Sequence, residues 1–180
     1  VNNPFTPDSK FDFDLFKDHV IYAERFMDDI IDLEIEKIEK ILNKIEVDPE
    51  PENIKKIEKE LWESIKDKAH QGRRTGLGIT SEADMLAALG LRYGTEEATN
   101  FSELVHKILA TNAYKSSIIM AEERGSFEIW DYNTEINNPF IQRILKCLLE
   151  QNEIEIIEKY KNNGRRNISL LSIAPTGSLS

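Results

Sequence analysis

Asn167-Ile-Ser-Leu-Leu-Ser-Ile-Ala174 runs directly into Pro175-Thr-Gly-Ser-Leu-Ser180. The first part has the β-branched and aliphatic content of a buried strand, in a chain whose other apolar residues recur at helical spacing. The second part is a loop in which consecutive backbone N–H groups and hydroxyls can face an anion, and its glycine allows close backbone approach to phosphate oxygens. By composition alone the same residues also make an ordinary turn. An upstream run, Gly72-Arg-Arg-Thr-Gly-Leu-Gly-Ile-Thr80, fits neither the Walker A spacing nor the dinucleotide fingerprint and reads as a strand or bend with close backbone packing. The expected fold class is therefore mainly α with one or two short strands.

Working outward, residues 1–10 form an irregular lead-in. Phe11, Leu15, Phe16, His19, Val20, Ala23, Phe26, Met27, Ile30 and Ile31 then mark one apolar helical face, which continues through Ile35, Ile38, Ile41, Leu42 and Ile45. Asp48-Pro-Glu-Pro-Glu-Asn53 breaks it, and Ile54, Ile57, Leu61 and Ile65 resume the pattern. A helical hairpin is expected across 34–69, with Ile57 and Leu61 packed inward and Lys55 and Glu58 in solvent. Thr80 or Ser81 reads as a helix N-cap, Gly90 as a stop, and Thr95 to Gly125 as the bounds of a long helix. Residues 126–139 read as a connector, 140–160 as one further helix, and 161–165 as the turn into the strand.

With 180 residues, 40% hydrophobic and 31% charged, the chain has the composition of a globular protein. It is long enough to bury roughly 70% of its unfolded surface as one domain. A net charge of -10 argues against nonspecific binding to a phosphate backbone, so no nucleic-acid partner is expected. No run of ~18 apolar residues and no signal peptide is found, so no membrane partner is expected and the chain reads as cytoplasmic. It starts without Met and stops in a loop at Ser180, which suggests a piece of something larger. The single cysteine, Cys147, lies in an apolar helical pattern and reads as a small buried hydrophobe.

Two constellations suggest chemistry. Asp28, Asp29 and Asp32 form the D-D-x-x-D pattern by which prenyl-diphosphate synthases bind magnesium and diphosphate, but no facing partner motif exists, and exposed helical aspartates are the plainer reading. Glu103 and His106 give one Glu-x-x-His where a di-iron bundle needs two. His19, His70 and His106 read as polar-face or helix-boundary residues, and no metal is expected.

Arg73-Arg-Thr-Gly-Leu-Gly-Ile-Thr80, Ala83-Asp-Met-Leu-Ala-Ala-Leu-Gly-Leu-Arg-Tyr-Gly94 and Gly164-Arg-Arg-Asn-Ile-Ser-Leu-Leu-Ser-Ile-Ala-Pro-Thr-Gly-Ser-Leu-Ser180 resemble the catalytic subunit of ribonucleotide reductase, in its class II, adenosylcobalamin-dependent form. Phe26–Glu34, Ala121–Gly125 and Asn138–Gln142 support the resemblance, which is colinear over nearly the whole chain. It implies that residues 1–180 are part of a ten-stranded catalytic α/β barrel, with 34–69 a helical hairpin and 167–180 a strand plus phosphate loop. It also implies that Pro175, Thr176, Gly177, Ser178 and Leu179 hold the phosphates of a ribonucleoside di- or triphosphate. The partners implied for the full enzyme are the rest of the reductase chain and a thioredoxin-type reductant. The family's radical cysteine, redox cysteine pair and intervening acid/base residues have no match here, so no catalytic residue is expected in this segment. The alternative is a stand-alone helical binding or assembly protein without activity.

Overall fold

The computed structural model describes residues 1–175. Among them seven helices are found: α1 (Phe13–Val47), α2 (Glu52–Gly72), α3 (Glu82–Ala88), α4 (Glu96–Arg124), α5 (Tyr132–Glu135), α6 (Pro139–Glu150) and α7 (Ile154–Asn163). Asp12 caps α1 through the Leu15 amide, and Thr95 caps α4 through that of Ala98. Gly125, at φ 86°, ends α4 where an L side chain would be strained. Ser81 sits at the N-cap of α3, but in the left-handed region and without a side-chain cap bond, so the capping role expected of it is not realised.

The expected single helix over 140–160 is two. The α6 helix ends at Glu150, and Asn152 adopts φ 59°, a conformation Asn tolerates better than most residues, before α7 begins. The break lets α6 and α7 fold back on each other and both reach α4. The core lies where α4 meets α1, α6 and α7, around Val20, Leu109, Ala113, Ile118, Ile144, Leu148, Ile156 and Tyr160.

The α1 and α2 helices pair antiparallel about a turn at residues 48–51, as the Lys66–Glu39 (2.7 Å) and Lys59–Glu46 (3.3 Å) ion pairs require. Which side of α2 faces inward differs from the sequence reading. Ile57 and Leu61 are 64% and 56% exposed, whereas Lys55 and Glu58 are half-buried. The tight turn sets the rotation: Lys55 Nζ folds back to the Glu46 carbonyl at 3.2 Å, which turns its own side of α2, with Trp62, Ile65 and Ala69, toward α1.

The expected strand at 167–174 is also revised, because among the described residues no strand is defined. Instead two segments, 72–77, extended beyond the left-handed Arg73, and 168–172, run parallel and share one bridge, Leu77 with Leu171. The Ile168 amide donates to Gly72 O (2.9 Å), Thr75 N to Ser169 O (2.9 Å), Leu77 N to Leu170 O (2.7 Å) and Ser172 N to Leu77 O (3.0 Å). Burial alternates along the first segment, with Arg73 and Thr75 buried and Arg74 and Gly76 exposed, as in a half-covered strand. Leu170 is buried, but Ile173 is 84% exposed, because no further segment covers its side of the pair among the described residues.

Ile57→Ala and Leu61→Ala are therefore expected to change the stability of the 180-residue chain by less than about 1 kcal/mol. Ile38→Ala, at a site 2% exposed on α1, should cost about 2–5 kcal/mol. Urea unfolding followed by circular dichroism checks this, and comparable large losses at all three positions would mean that the outer stripe of α2 is covered.

Candidate functional site

Apolar residues occupy the inward face of α1 at Val20, Ile31, Ile35, Ile38 and Ile45, but that face is interrupted by Glu24 and Asp28, both 0% exposed. Asp28 is thus not one of the exposed helical aspartates expected from its motif. A carboxylate without water must find cations or donors, and Asp28 finds them from three directions. Arg73, at the C-cap of α2, places Nε 2.8 Å from Oδ1 and donates a second guanidinium N–H to the Asp28 carbonyl at 3.0 Å. Arg124, in the last turn of α4, and Arg166, leading into the second extended segment, each approach Oδ2 at 3.3 Å. Asn167 Nδ2 donates to Oδ1 at 2.8 Å, and the Asn167 side-chain carbonyl accepts from Ser117 of α4 at 2.9 Å.

Burial alone would raise the Asp28 carboxyl. The Arg73 hydrogen bond, the Arg73 and Arg166 charges and the Asn167 bond outweigh it and hold the group below its ordinary value. Arg73 itself adopts φ 44°, ψ 60°, a left-handed conformation that costs a non-glycine residue energy and that these bonds maintain. The same arginine reaches Asp32 at 2.8 Å, and Arg124 reaches Asp29 at 2.6 Å. The three aspartates do converge, with one oxygen of each within 4.8 Å of the others. Guanidinium groups already engage those oxygens, so the cluster works as an arginine clamp joining α1, α4 and both extended segments.

A second clamp fixes the approach to the second segment. Glu135 accepts from Trp130 Nε1 (3.0 Å), Tyr160 Oη (2.9 Å) and Arg165 Nε (2.9 Å), while the Arg165 guanidinium lies 5.4 Å from the Tyr114 ring centre and 5.2 Å from that of Phe127. Gly164 passes so close to Trp130 that a Cβ there would lie 2.5 Å from the indole. The two segments are held equally close to each other: a Cβ on Gly78 would lie 2.1 Å from the Ser172 carbonyl oxygen. Gly78 is thus required by backbone packing, as the glycine spacing suggests.

Of the residues the sequence assigns to phosphate binding, Pro175 is described and lies exposed three residues beyond the second extended segment. Thr176, Gly177, Ser178 and Leu179 lie outside the described residues. Cys147 is half-buried on α6, less enclosed than its apolar setting suggests. His19 and His70 are exposed, and His106 Nδ1 lies 3.0 Å from the Ser102 carbonyl on the same helix. Among the described residues no helix is long and apolar enough to cross a membrane. The clamp residues are the ones missed from sequence. Their signal was the pair of acids on an otherwise apolar face of α1, together with the Arg-Arg pairs at 73–74 and 165–166 ahead of the two extended segments.

The family model described as "Ribonucleotide reductase, barrel domain" matches residues 2–180. A vitamin B12-dependent ribonucleoside-diphosphate reductase of Thermoplasma acidophilum is 32% identical over 171 residues, which cover 95% of this chain and 16% of the relative. The Mycobacterium tuberculosis protein of the same description is 26% identical over 174 residues, 96% of this chain and 18% of the relative. A Helicobacter pylori ribonucleoside-diphosphate reductase subunit alpha is 31% identical over 121 residues, 61% of this chain and 15% of the relative. The chain thus spans less than a fifth of the length of these relatives.

Replacing Asp28 by Ala would leave Arg73 buried without its main partner and should cost about 3–5 kcal/mol. Because folding lowers the Asp28 pKa, its contribution is present above the ordinary aspartate value of 3.8 and is lost as pH falls through the lower folded value. Urea unfolding of wild type and Asp28→Ala at neutral and strongly acidic pH should show the gap narrowing in acid. A gap near zero at neutral pH would mean that the clamp does not hold the fold.

Proposed function

The chain belongs to the ribonucleotide reductase barrel-domain family, and from that premise we propose that it serves a B12-dependent ribonucleoside-diphosphate reductase as the part that carries the substrate phosphate loop. The paired segments 72–77 and 168–172 are then two neighbouring strands of the ten-stranded barrel, residues 1–180 are part of its catalytic domain, and α1, α2 and α4 are outer scaffold. The supporting observation is the fixed course of the second segment: Arg165, Arg166 and Asn167 hold its start, and a backbone ladder holds it as far as Ser172, three residues before Pro175.

On this reading the phosphates of a ribonucleoside diphosphate are held by backbone N–H groups of residues 176–179 and by the Thr176 and Ser178 hydroxyls. Oriented amides can bind an anion in a chain of net charge -10, because they act at contact range while net charge acts at long range. Arg73, Arg124 and Arg166 are not available for this role, since they face Asp28, nor is Arg165, which faces Glu135.

The overall reaction replaces the ribose 2'-hydroxyl by hydrogen; the hydroxyl leaves as water and a cysteine pair is oxidised to a disulfide, which a thioredoxin-type reductant restores. When bound in the full-length protein, adenosylcobalamin would supply the radical on which this chemistry depends. The clamp around Asp28 is closed and filled by guanidinium groups, so no part in holding a corrin is assigned to it. This segment's own contribution is to bind and orient the phosphate end of the substrate. The stand-alone binding reading has no observation in its favour.

In the full-length protein, Gly177→Val should raise the substrate KM strongly by blocking close approach of a phosphate oxygen. Ser178→Ala should cost about 1.5–3 kcal/mol of substrate binding, roughly ten- to hundredfold in affinity. Steady-state kinetics checks both, and an unchanged KM and kcat in Gly177→Val would return the loop to an ordinary turn. The 180-residue chain alone, with one cysteine, should form no deoxynucleotide when given cobalamin and a dithiol.

A further inference from the structure

Glu24 lies one turn before Asp28 on the buried face of α1 and is equally enclosed, but its surroundings are of the opposite kind. Among the described residues no lysine or arginine pairs with it, and its Oε2 atom is buried without a hydrogen-bond partner. Its other oxygen, Oε1, lies 2.5 Å from Thr75 Oγ1, and that same hydroxyl lies 2.9 Å from the Ser169 carbonyl. Thr75 and Ser169 stand on the two extended segments, so the contact runs from α1 across both of them.

The solitary Oε2 and the protons available along this contact favour a protonated Glu24. A threonine hydroxyl has one proton, and the Ser169 carbonyl can only accept. If Glu24 were ionised, the Thr75 hydroxyl would turn its proton to the carboxylate, the Ser169 carbonyl would keep only the Thr75 backbone N–H, and Oε2 would be half a carboxylate buried without a donor. With a proton on Oε1, Glu24 donates to Thr75, Thr75 donates to Ser169, and the solitary Oε2 becomes a neutral carbonyl oxygen, far less costly to bury than half a carboxylate.

We propose that Glu24 sits in the fold as a neutral carboxylic acid and is a positioning residue for the substrate phosphates, holding through Thr75 the Ser169 carbonyl of the segment that runs into Pro175. The inference rests on the phosphate-loop reading and adds to it a named residue and a proton-dependent control. Burial is the main cause that pushes the Glu24 carboxyl up to about 7; the Thr75 contact opposes the rise and the Asp28 charge adds to it. Tyr114 of α4, itself raised mainly by burial, feels the Glu24 charge, while Arg73 and Arg166 are turned to Asp28. Arg165 is turned to Glu135. Folding raises this carboxyl, so its contribution to stability is complete below the ordinary glutamate value of 4.5 and is lost as pH rises through about 7. Above that pH the Thr75 hydroxyl is drawn from Ser169 to a buried charge, and the segment, left with its backbone bonds alone, loosens.

The test uses the full-length reductase with a ribonucleoside diphosphate, comparing wild type with Glu24→Gln, whose amide can donate to Thr75 at every pH. The ratio of wild-type to Glu24→Gln KM cancels titration of the substrate itself. That ratio should rise between pH 6 and 8.5, approaching tenfold per pH unit above about 7, with little change in the kcat ratio. Thr75→Val should raise KM already at pH 6, and Thr75→Ser should restore it. Hydrogen exchange of the substrate-free protein, corrected for intrinsic rates, should show protection at residues 169–172 falling above about pH 7 in wild type only. A flat KM ratio with flat exchange overturns the proposal and leaves the loop reading intact. A flat KM ratio with pH-dependent exchange also overturns it, and shows that the segment is held by Glu24 but does not position phosphate.

Discussion

A carboxylate at the centre of the molecule, Asp28, is tolerable only because three guanidinium groups and one amide reach it, and that requirement organises the remainder of the structure. Its partners come from the end of α2, the end of α4 and the start of the second extended segment. No apolar contact would specify the relative placement of these pieces so narrowly, since methyl groups pack in many registers whereas an arginine fork accepts few. Arg73 shows the constraint directly: it holds a backbone conformation usually left to glycine so that its side chain can reach across to α1. Once Arg73 and Asn167 are fixed on one carboxylate, the segments that follow them lie side by side, and their backbone ladder closes.

Glu24 and Asp28 share a helix face and total burial, yet their chemistry diverges because of what faces them. The arginines gather at one and leave the other with a single hydroxyl, that of Thr75. This division also bears on anion binding. Arg73, Arg124 and Arg166 are taken up by Asp28 and Arg165 by Glu135, so the proposed phosphate binding is assigned to backbone amides and hydroxyls rather than to these four side chains. On the barrel reading, the uncovered Ile173 and the stripe of Tyr22, Phe26, Ile30 and Leu33 on the far side of α1 are faces awaiting the remainder of a longer protein.

Local signals in the sequence were legible where local physics decides. Thr95 and Gly125 bound α4, and the prolines at 49 and 51 mark the hairpin turn, because caps and turn residues act on their own backbone. The facing side of α2 was not legible, since Ile57 and Leu61 make as good an apolar stripe as the Trp62 and Ile65 side, and the tight turn chose between them. The break at Asn152 was hidden by apolar spacing that continues smoothly through it. The burial of Asp28 depends on partners 45 and 138 residues away, which no local window contains. The strand at 167–174 was half legible: its ladder partner is present, but the neighbours that would make it a sheet are not among the described residues. The proposed phosphate loop rests on resemblance alone, because Pro-Thr-Gly-Ser is equally good turn chemistry and residues 176–179 lie outside the described residues.

The most direct measurement is a crystal structure of the full-length protein with a ribonucleoside diphosphate bound. The expected result has the phosphates within hydrogen-bond distance of backbone N–H groups at residues 176–179, the 72–77 and 168–172 segments paired within a barrel, and Arg73, Arg166 and Asn167 still on Asp28. Phosphates seated on other residues, with the 176–179 loop turned away from them, would contradict it.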